Sequence, residues 1–369
     1  MGRTPVKRAR RAAVRQDTNR WDLTPRTRRQ LVAVLVVLLV AVAGSLYQPP
    51  YVILRAGPAI NALGEGRDGP LVSISGLPVY PTQGTLDITT VAQYGGPGYG
   101  IDVWDLLVAT LSQEAQILPR DQLYPDDVTR DDVEEVTAAQ MAGSQHDAVA
   151  VALRALGKPE RAVVSEVMAD APAAGRLAKG DVIVSVGGRR VHTVPEVTTL
   201  VQQKTDAGGV QMVIERRGVR RTVAVPTRQV QGRRVVGVGL EATFDSAIKV
   251  TIDAGDVGGP SAGTMFALAV YDKLTPGALT GGMRVAGTGT IGPDGRVGPI
   301  GGITHKMVGA KSQGAQWFLA PPGNCAEVVG NTPDGLFVTP VATFDEAKKA
   351  VEHIASKQGR ERLPQCTID

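Results

Sequence analysis

Asp253-Ala254-Gly255-Asp256-Val257-Gly258-Gly259-Pro260-Ser261-Ala262-Gly263 is the stretch on which the chain turns. Ahead of it, Ala247-Ile248-Lys249-Val250-Thr251-Ile252 alternates as a strand does. Behind it, Thr264 to Lys273 carries Met265, Leu268 and Ala269 at i, i+3, i+4, which is helix spacing. The frame is strand, glycine-rich turn, helix, with Ser261 at the mouth of the helix. Glycines let a backbone come close to a substrate. Free N–H groups at a helix N-terminus can hold a developing oxyanion. A serine here also has an ordinary use as a helix N-cap, so the stretch alone leaves both uses open.

A nucleophilic serine needs a base, and histidine and lysine are the two options. The chain has four histidines: His146, His192, His305 and His353. A better candidate lies in Gly298-Pro299-Ile300-Gly301-Gly302-Ile303-Thr304-His305-Lys306-Met307. Residues 303–313 read as a short helix with Ile303, Lys306 and Ala310 on one face. A lysine on the buried side of a helix has its pKa lowered by burial, and a neutral amine beside a serine is what general-base chemistry requires. Lys311 falls on another face and ranks second.

Gly259-Pro260-Ser261-Ala262-Gly263 is followed by Thr288-Gly289-Thr290-Ile291, Gly295-Arg296-Val297, Pro299-Ile300-Gly301-Gly302 and Lys306. In order, spacing and flanks this series resembles the proteolytic domain of Lon proteases, over roughly 235–355. The resemblance implies a serine–lysine dyad, with Ser261 as nucleophile and Lys306 as base. It places Thr288 beside the dyad to orient the lysine, and in that mechanism the backbone N–H groups near Gly259, Pro260 and Ser261 would hold the oxyanion. Many Lon proteins carry an acidic residue three positions before the serine; here that position is Gly258, and the nearby acids are Asp253 and Asp256. The departure resembles the membrane-anchored subgroup that carries a PDZ domain.

At 369 residues the chain is long enough for two or three domains. Its net charge of +4 conceals an asymmetry: residues 1–30 carry ten Arg/Lys and two Asp, a net +8, so the remainder sums to 4 − 8 = −4. A mildly acidic body with 4% aromatics argues against a nucleic-acid partner. The basic segment precedes Leu31 to Tyr47, seventeen residues without a charge, at the short end of a membrane span. Val52-Ile53-Leu54 would extend the span, giving 31–54 as the membrane helix. The basic side stays in the cytoplasm, so a single-pass topology puts the body outside the cell membrane. A cleaved signal peptide, with Ala41-Val42-Ala43 as its small-x-small site, is the rival and leads to the same compartment. There, Cys325 and Cys366 admit either a disulfide or two separate thiols. No histidine spacing accompanies them, so no metal site is expected.

Taken in order, residues 48–70 read as a juxtamembrane connector. Residues 71–91 show short strand patterns. Tyr94 to Gly100 is a structural loop, and 129–156 read as helical in two runs, from Thr129 and from Ser144. The region 55–156 carries no legible chemistry. In the Lon resemblance its strands would pack on the protease domain, making residues 157–230 an insertion. Those residues run strand (162–167), short helix (171–177), strand closed by Gly187-Gly188, helix (193–204), then a hairpin across Arg217-Gly218. This order, and above all Ala171 to Gly188, resembles PDZ domains of bacterial envelope proteases. It implies an extended peptide bound by strand addition, for which Ala162, Val163, Val164 and Ser165 are the candidates. Residues 231–356 form the Lon-like domain, with a strand at 316–320 and a closing helix at 344–354, and 357–369 a polar tail.

Two spelled motifs fail on context. Gly287 to Gly292 spells a dinucleotide fingerprint but runs into the turn Pro293-Asp294-Gly295 instead of a helix. Gly259-Pro260-Ser261-Ala262-Gly263 spells the elbow of α/β-hydrolases, but a seven-residue loop separates it from its strand. There is no G-x-x-x-x-G-K-[ST], so no ATP site is expected. The expectation is an α+β multidomain chain: one transmembrane helix, a β-rich PDZ domain with two helices, and a Lon-type α/β protease domain. It would act as an ATP-independent, cofactor-free serine endopeptidase on unfolded or envelope proteins, and Lon domains imply a homo-oligomer. The alternatives are a non-catalytic PDZ membrane scaffold with an inert Lon-like domain, and an α/β-hydrolase-type enzyme using His305 or His353.

Overall fold

The computed structural model describes residues 24–67, 69–112, 114–125, 127–203, 209–255, 257–356 and 362–367. Asp256, Lys204, most of the basic segment and most of the polar tail lie outside the described residues. In chain order the elements are α1 (Pro25–Leu46), β1 (Tyr51–Asn61), β2 (Val72–Ser75), β3 (Thr85–Tyr94), α2 (Val103–Leu111), β4 (Gln116–Pro119) and α3 (Arg130–Ala155). Next come β5 (Arg161–Val167), β6 (Val182–Val186), β7 (Arg189–Arg190), α4 (Val194–Gln202), β8 (Val210–Arg216), β9 (Val219–Val225), β10 (Arg228–Val230), β11 (Arg233–Val235) and β12 (Val238–Thr243). The last group is β13 (Lys249–Ile252), α5 (Gly263–Lys273), β14 (Arg284–Gly287), β15 (Thr290–Ile291), β16 (Val297–Gly298), α6 (Ile303–Ser312), β17 (Trp317–Ala320), α7 (Cys325–Val328), β18 (Phe337–Pro340) and α8 (Phe344–Ala355).

The central sheet runs β18-β17-β14-β3-β1-β4. Its two faces follow from period-two side chains. Val285, Trp317, Leu319 and Phe337 point to one side, into a core shared with α3, α5 and α8. Ala286, Phe318, Ala320 and Val338 point to the other, against Ile303, Met307 and Ala310 of α6. With both faces covered, the parallel strands β14, β17 and β18 read as apolar runs. Helix α5 is buried from Gly263 through Val270, as a helix that is apolar all round must be.

Half of this sheet comes from residues 51–119, most of them in the region whose strands the Lon resemblance set against the protease domain without bounds or partners. β1 occupies 51–61, so Val52-Ile53-Leu54 does not extend the membrane helix, and 48–70 is no connector. Pro49 and Pro50 stop α1, and Val52 and Ile53 are buried in the sheet. β3 pairs antiparallel with β1 and parallel with β14, which joins residues near 90 to residues near 285. The region 129–156 is one helix, not two. Thr129 and Asp132 form a capping box at its start, and Gly143 sits mid-helix without breaking it.

A second sheet, β12-β5-β6-β8-β9, has its own core against α4. The hairpin β8–β9 turns at Arg217-Gly218, both left-handed, as a two-residue hairpin turn demands. Residues 171–177 form turns instead of the expected short helix. The unit also runs past 230: β12 pairs with β5 along its length, Thr243 opposite Arg161. The sheet is thus entered and left at neighbouring residues, and it interrupts a larger fold whose strands lie on both sides of it in sequence.

Candidate active site

Ser261 stands two residues before α5, in a loop held from three directions. Asp253 N–H donates to Leu71 O at 2.8 Å, just beyond the pairing of β13 with β2. Gly259 N–H donates to Thr137 O at 3.2 Å, and Ser144 Oγ donates to Pro260 O at 2.9 Å, both on α3. On the far side, Gly289 N–H and Thr288 Oγ1 donate to Ser261 O at 2.8 and 3.0 Å. The loop is pressed so closely that a Cβ on Gly263 would lie 2.6 Å from Ser144 Oγ and 2.7 Å from Ile291. Only glycine fits there.

Lys306 reaches Ser261 from α6. Its Nζ lies 2.6 Å from Ser261 Oγ and 3.1 Å from Thr288 Oγ1. The lysine is 4% exposed, and Thr288 is fully buried. No carboxylate pairs with Lys306 among the described residues, and burial lowers its pKa from 10.5 to about 8. Asp253 lines the same cavity, where its carboxylate accepts from Gly255 N–H instead. The result is an amine with a pKa of about 8, hydrogen-bonded to a hydroxyl at the mouth of a helix.

Gly259 and Pro260 shape the turn but do not serve an oxyanion: Gly259 N–H is engaged by Thr137, and proline has no N–H. The N–H groups of Ser261 and Ala262 make no backbone hydrogen bond among the described residues. They sit at the positive end of α5. The site opens into a cavity of about 920 Å³ lined by Ile60, Leu71, Thr89 to Ala92, Asp253 and Val257, among others.

The remaining candidates separate. His305, next to Lys306, turns away into a second cavity, where Nε2 lies 3.3 Å from Gln116 Oε1. Burial lowers its pKa. The side chain that reaches Ser261 Oγ among the described residues is Lys306, so the triad expected of an α/β-hydrolase is not assembled. Lys311 points its Nζ toward Gly335. Cys325 and Cys366 form a disulfide. Ala162 to Ser165 are not an open peptide-binding edge: β5 is paired with β12 along one side and with β6 at Ala162 and Val163 on the other. The edge strands of this sheet are β12 and β9, and of the two it is β12 that flanks β5. Sequence reasoning missed Thr137, Ser144, Leu71 and β3 around the serine, because nothing in their local pattern marks contacts across more than a hundred residues.

The chain matches the family model of the Lon protease (S16) C-terminal proteolytic domain over residues 190–351, and a PDZ domain model over 128–227. The overlap, 190–227, falls in the second sheet. The molecule is therefore a mixed α+β chain carrying a Lon-type proteolytic domain and a PDZ domain, with one N-terminal helix long and apolar enough to cross a membrane. Among curated relatives it is 34% identical over 123 residues to a Lon protease of Azospirillum brasilense, covering 31% of this chain and 15% of that protein. It is 38% identical over 94 residues to a Lon protease of Lachnoclostridium phytofermentans, covering 25% and 11%. The match thus spans under a sixth of either relative. Among solved structures, the PDZ domain of an SdrC-like protein from Listeria monocytogenes is 22% identical with a TM-score of 0.20, covering 21% of this chain and 85% of that one.

Proposed function

We propose that the protein is a membrane-anchored serine endopeptidase that works through a Ser261–Lys306 dyad without ATP. The observation that carries this reading is the 2.6 Å approach of a buried lysine with no carboxylate partner among the described residues to a hydroxyl at a helix mouth. Neutral Lys306 takes the proton of Ser261 as Oγ attacks the peptide carbonyl. The oxyanion settles against the N–H groups of Ser261 and Ala262. The tetrahedral intermediate then collapses: the C–N bond breaks, and Lys306 returns the proton to the leaving amine. A water, deprotonated by Lys306, attacks the acyl ester and frees Ser261. Thr288 accepts a hydrogen bond from Lys306 and so fixes the direction of the amine.

In this reading, α1 anchors the chain with its basic side in the cytoplasm and the body outside; a disulfide suits that oxidising compartment. Substrates are unfolded or envelope proteins. An extended peptide adds along β12 beside α4, in place of the 162–165 segment, and is passed to the dyad. A homo-oligomer is expected from the Lon likeness.

The test is cleavage of unfolded casein by the full chain in nanodiscs, comparing parent, Ser261→Ala and Lys306→Ala, each with and without ATP. Both variants should be inactive, and ATP should change nothing. Cleavage retained in Lys306→Ala would sink the dyad. A parent that neither cleaves nor reacts at Ser261 with a fluorophosphonate would leave the inert-scaffold reading in its place.

A further inference from the structure

Helix α2 has two apolar faces. Leu106 and Ala109 turn inward, toward Ile53 and Ile101. Trp104, Leu107, Val108 and Leu111, at i, i+3, i+4, i+7, turn outward and are 38%, 50%, 57% and 79% exposed. A helix apolar on both sides is ordinarily buried, and this one has protein on one side only. Its outward face is also continuous with α1. Trp104 Nε1 donates to Ala41 O at 3.1 Å, and the indole packs on Gly44.

That contact fixes depth. Ala41 is five residues before the end of α1, about 7 Å along the helix axis. A bilayer around α1 would therefore meet α2 at its interfacial layer. The other exposed aromatic side chains of the described residues gather at the same end. Tyr47 ends α1; Tyr51 begins β1; Tyr94 lies opposite Ile53 on β3; and Tyr99 lies in the next loop. Tryptophan and tyrosine concentrate at the membrane–water boundary because each has an apolar ring and a polar tip.

We propose that α2 is a membrane-interface helix: Leu107, Val108 and Leu111 sit in the headgroup–acyl boundary of the outer leaflet, with Trp104 and the tyrosines forming a belt around them. The body is held flat against the lipid at two points, α1 and α2, and does not swing on a tether. The occupant is lipid, since a helix that rests on the end of a bilayer span has the bilayer on its free side. The inference rests on α1 crossing the membrane and is independent of the catalytic reading.

The native cysteines are bonded to each other, so a single introduced cysteine can be labelled selectively. We would place an environment-sensitive fluorophore at Leu107→Cys, Leu111→Cys, Val36→Cys within α1, and Val219→Cys on the exposed β9 hairpin. The full chain would be reconstituted into phosphatidylcholine vesicles with and without brominated acyl chains. The expected result is blue-shifted, bromine-quenched emission at 107, 111 and 36, and water-like emission at 219. Water-like emission at 107 and 111 with 36 quenched overturns the proposal. Blue-shifted but unquenched emission there overturns it in favour of a protein cover. An unquenched label at 36 shows that α1 does not span, and removes its premise. All four positions are exposed, so an unchanged melting temperature verifies that labelling left the fold intact.

Discussion

At the scale of one residue, the proposed dyad turns on Lys306. Its burial lowers the pKa from 10.5 to about 8, so about a tenth is neutral at pH 7 and about nine-tenths at pH 9. Casein cleavage should therefore climb through pH 8 and level off above it; a rate already flat from pH 6 to 9 would contradict a lysine base. The same displacement has a stability sign. Below about pH 8 the buried ammonium is held at full cost, about 3 kcal/mol for this displacement, and the cost is relieved as pH rises from 8 toward 10.5. Lys306→Met should be inactive yet melt higher than the parent at pH 7, with the gap closing by pH 10. Thr288→Val removes the hydroxyl that orients the amine while keeping the shape. The expected outcome is a kcat lowered about 10- to 100-fold with KM nearly unchanged. Ser261 and Lys306 were singled out in sequence, and the structure brings Nζ and Oγ to 2.6 Å. The withdrawal of His305, its immediate neighbour, was not, because which way adjacent helical residues face depends on what packs around them.

Single elements carry the next layer of cause. α3 reads from sequence as two helical runs, yet it is one helix lying between two cores. Ala148, Val151 and Ala152 enter the protease core, Ala150 enters the PDZ core, and Thr137 and Ser144 hold the loop that carries Ser261. Ser144→Val would leave Pro260 O without its donor and press on Gly263; activity should fall further than melting temperature does. The Cys325–Cys366 bond closes a separation of 41 residues and pins the C-terminal segment near α7. By loop-entropy scaling its reduction should lower stability by up to about 4 kcal/mol, measurable as a drop in the urea midpoint under reductant. Composition left bond and free thiols equally open, and only the approach of the C-terminal segment to the α6–α7 core decided it.

Across the whole molecule the PDZ unit interrupts the protease fold, with Arg161 and Thr243 paired at its entrance and exit. Such partners lie about 5 Å apart, so a short Gly/Ser linker can replace 161–243. The excised chain should still unfold cooperatively and still expose Ser261 to a fluorophosphonate, while losing peptide binding at β12. A chain unable to fold would mean that Ala150 and Phe244, which now face the PDZ core, make the two units inseparable. Truncation is a different matter: removing residues up to 54 takes the first four residues of β1, which pair with β4 and with Tyr94 and Gln93 of β3, and should lower the melting temperature sharply.

By itself, the sequence determined the strand–turn–helix around Ser261, the candidate lysine, the PDZ-like run and a helix able to cross a membrane. Each is written in local spacing: period two, period 3.6, glycines at turns, a charge-free run. The Lon resemblance set strands of the 55–156 region on the protease domain, but tertiary structure alone decided that β3 pairs with β14, more than a hundred and ninety positions away, and β1 with β3. It also decided that β12 closes the PDZ sheet and leaves Ala162 to Ser165 without an open edge. The physical reason is the same in each case. A strand's alternation says that one face will be buried, but not which strand will lie beside it, and pairing partners are chosen by the cores that form on either side of the sheet.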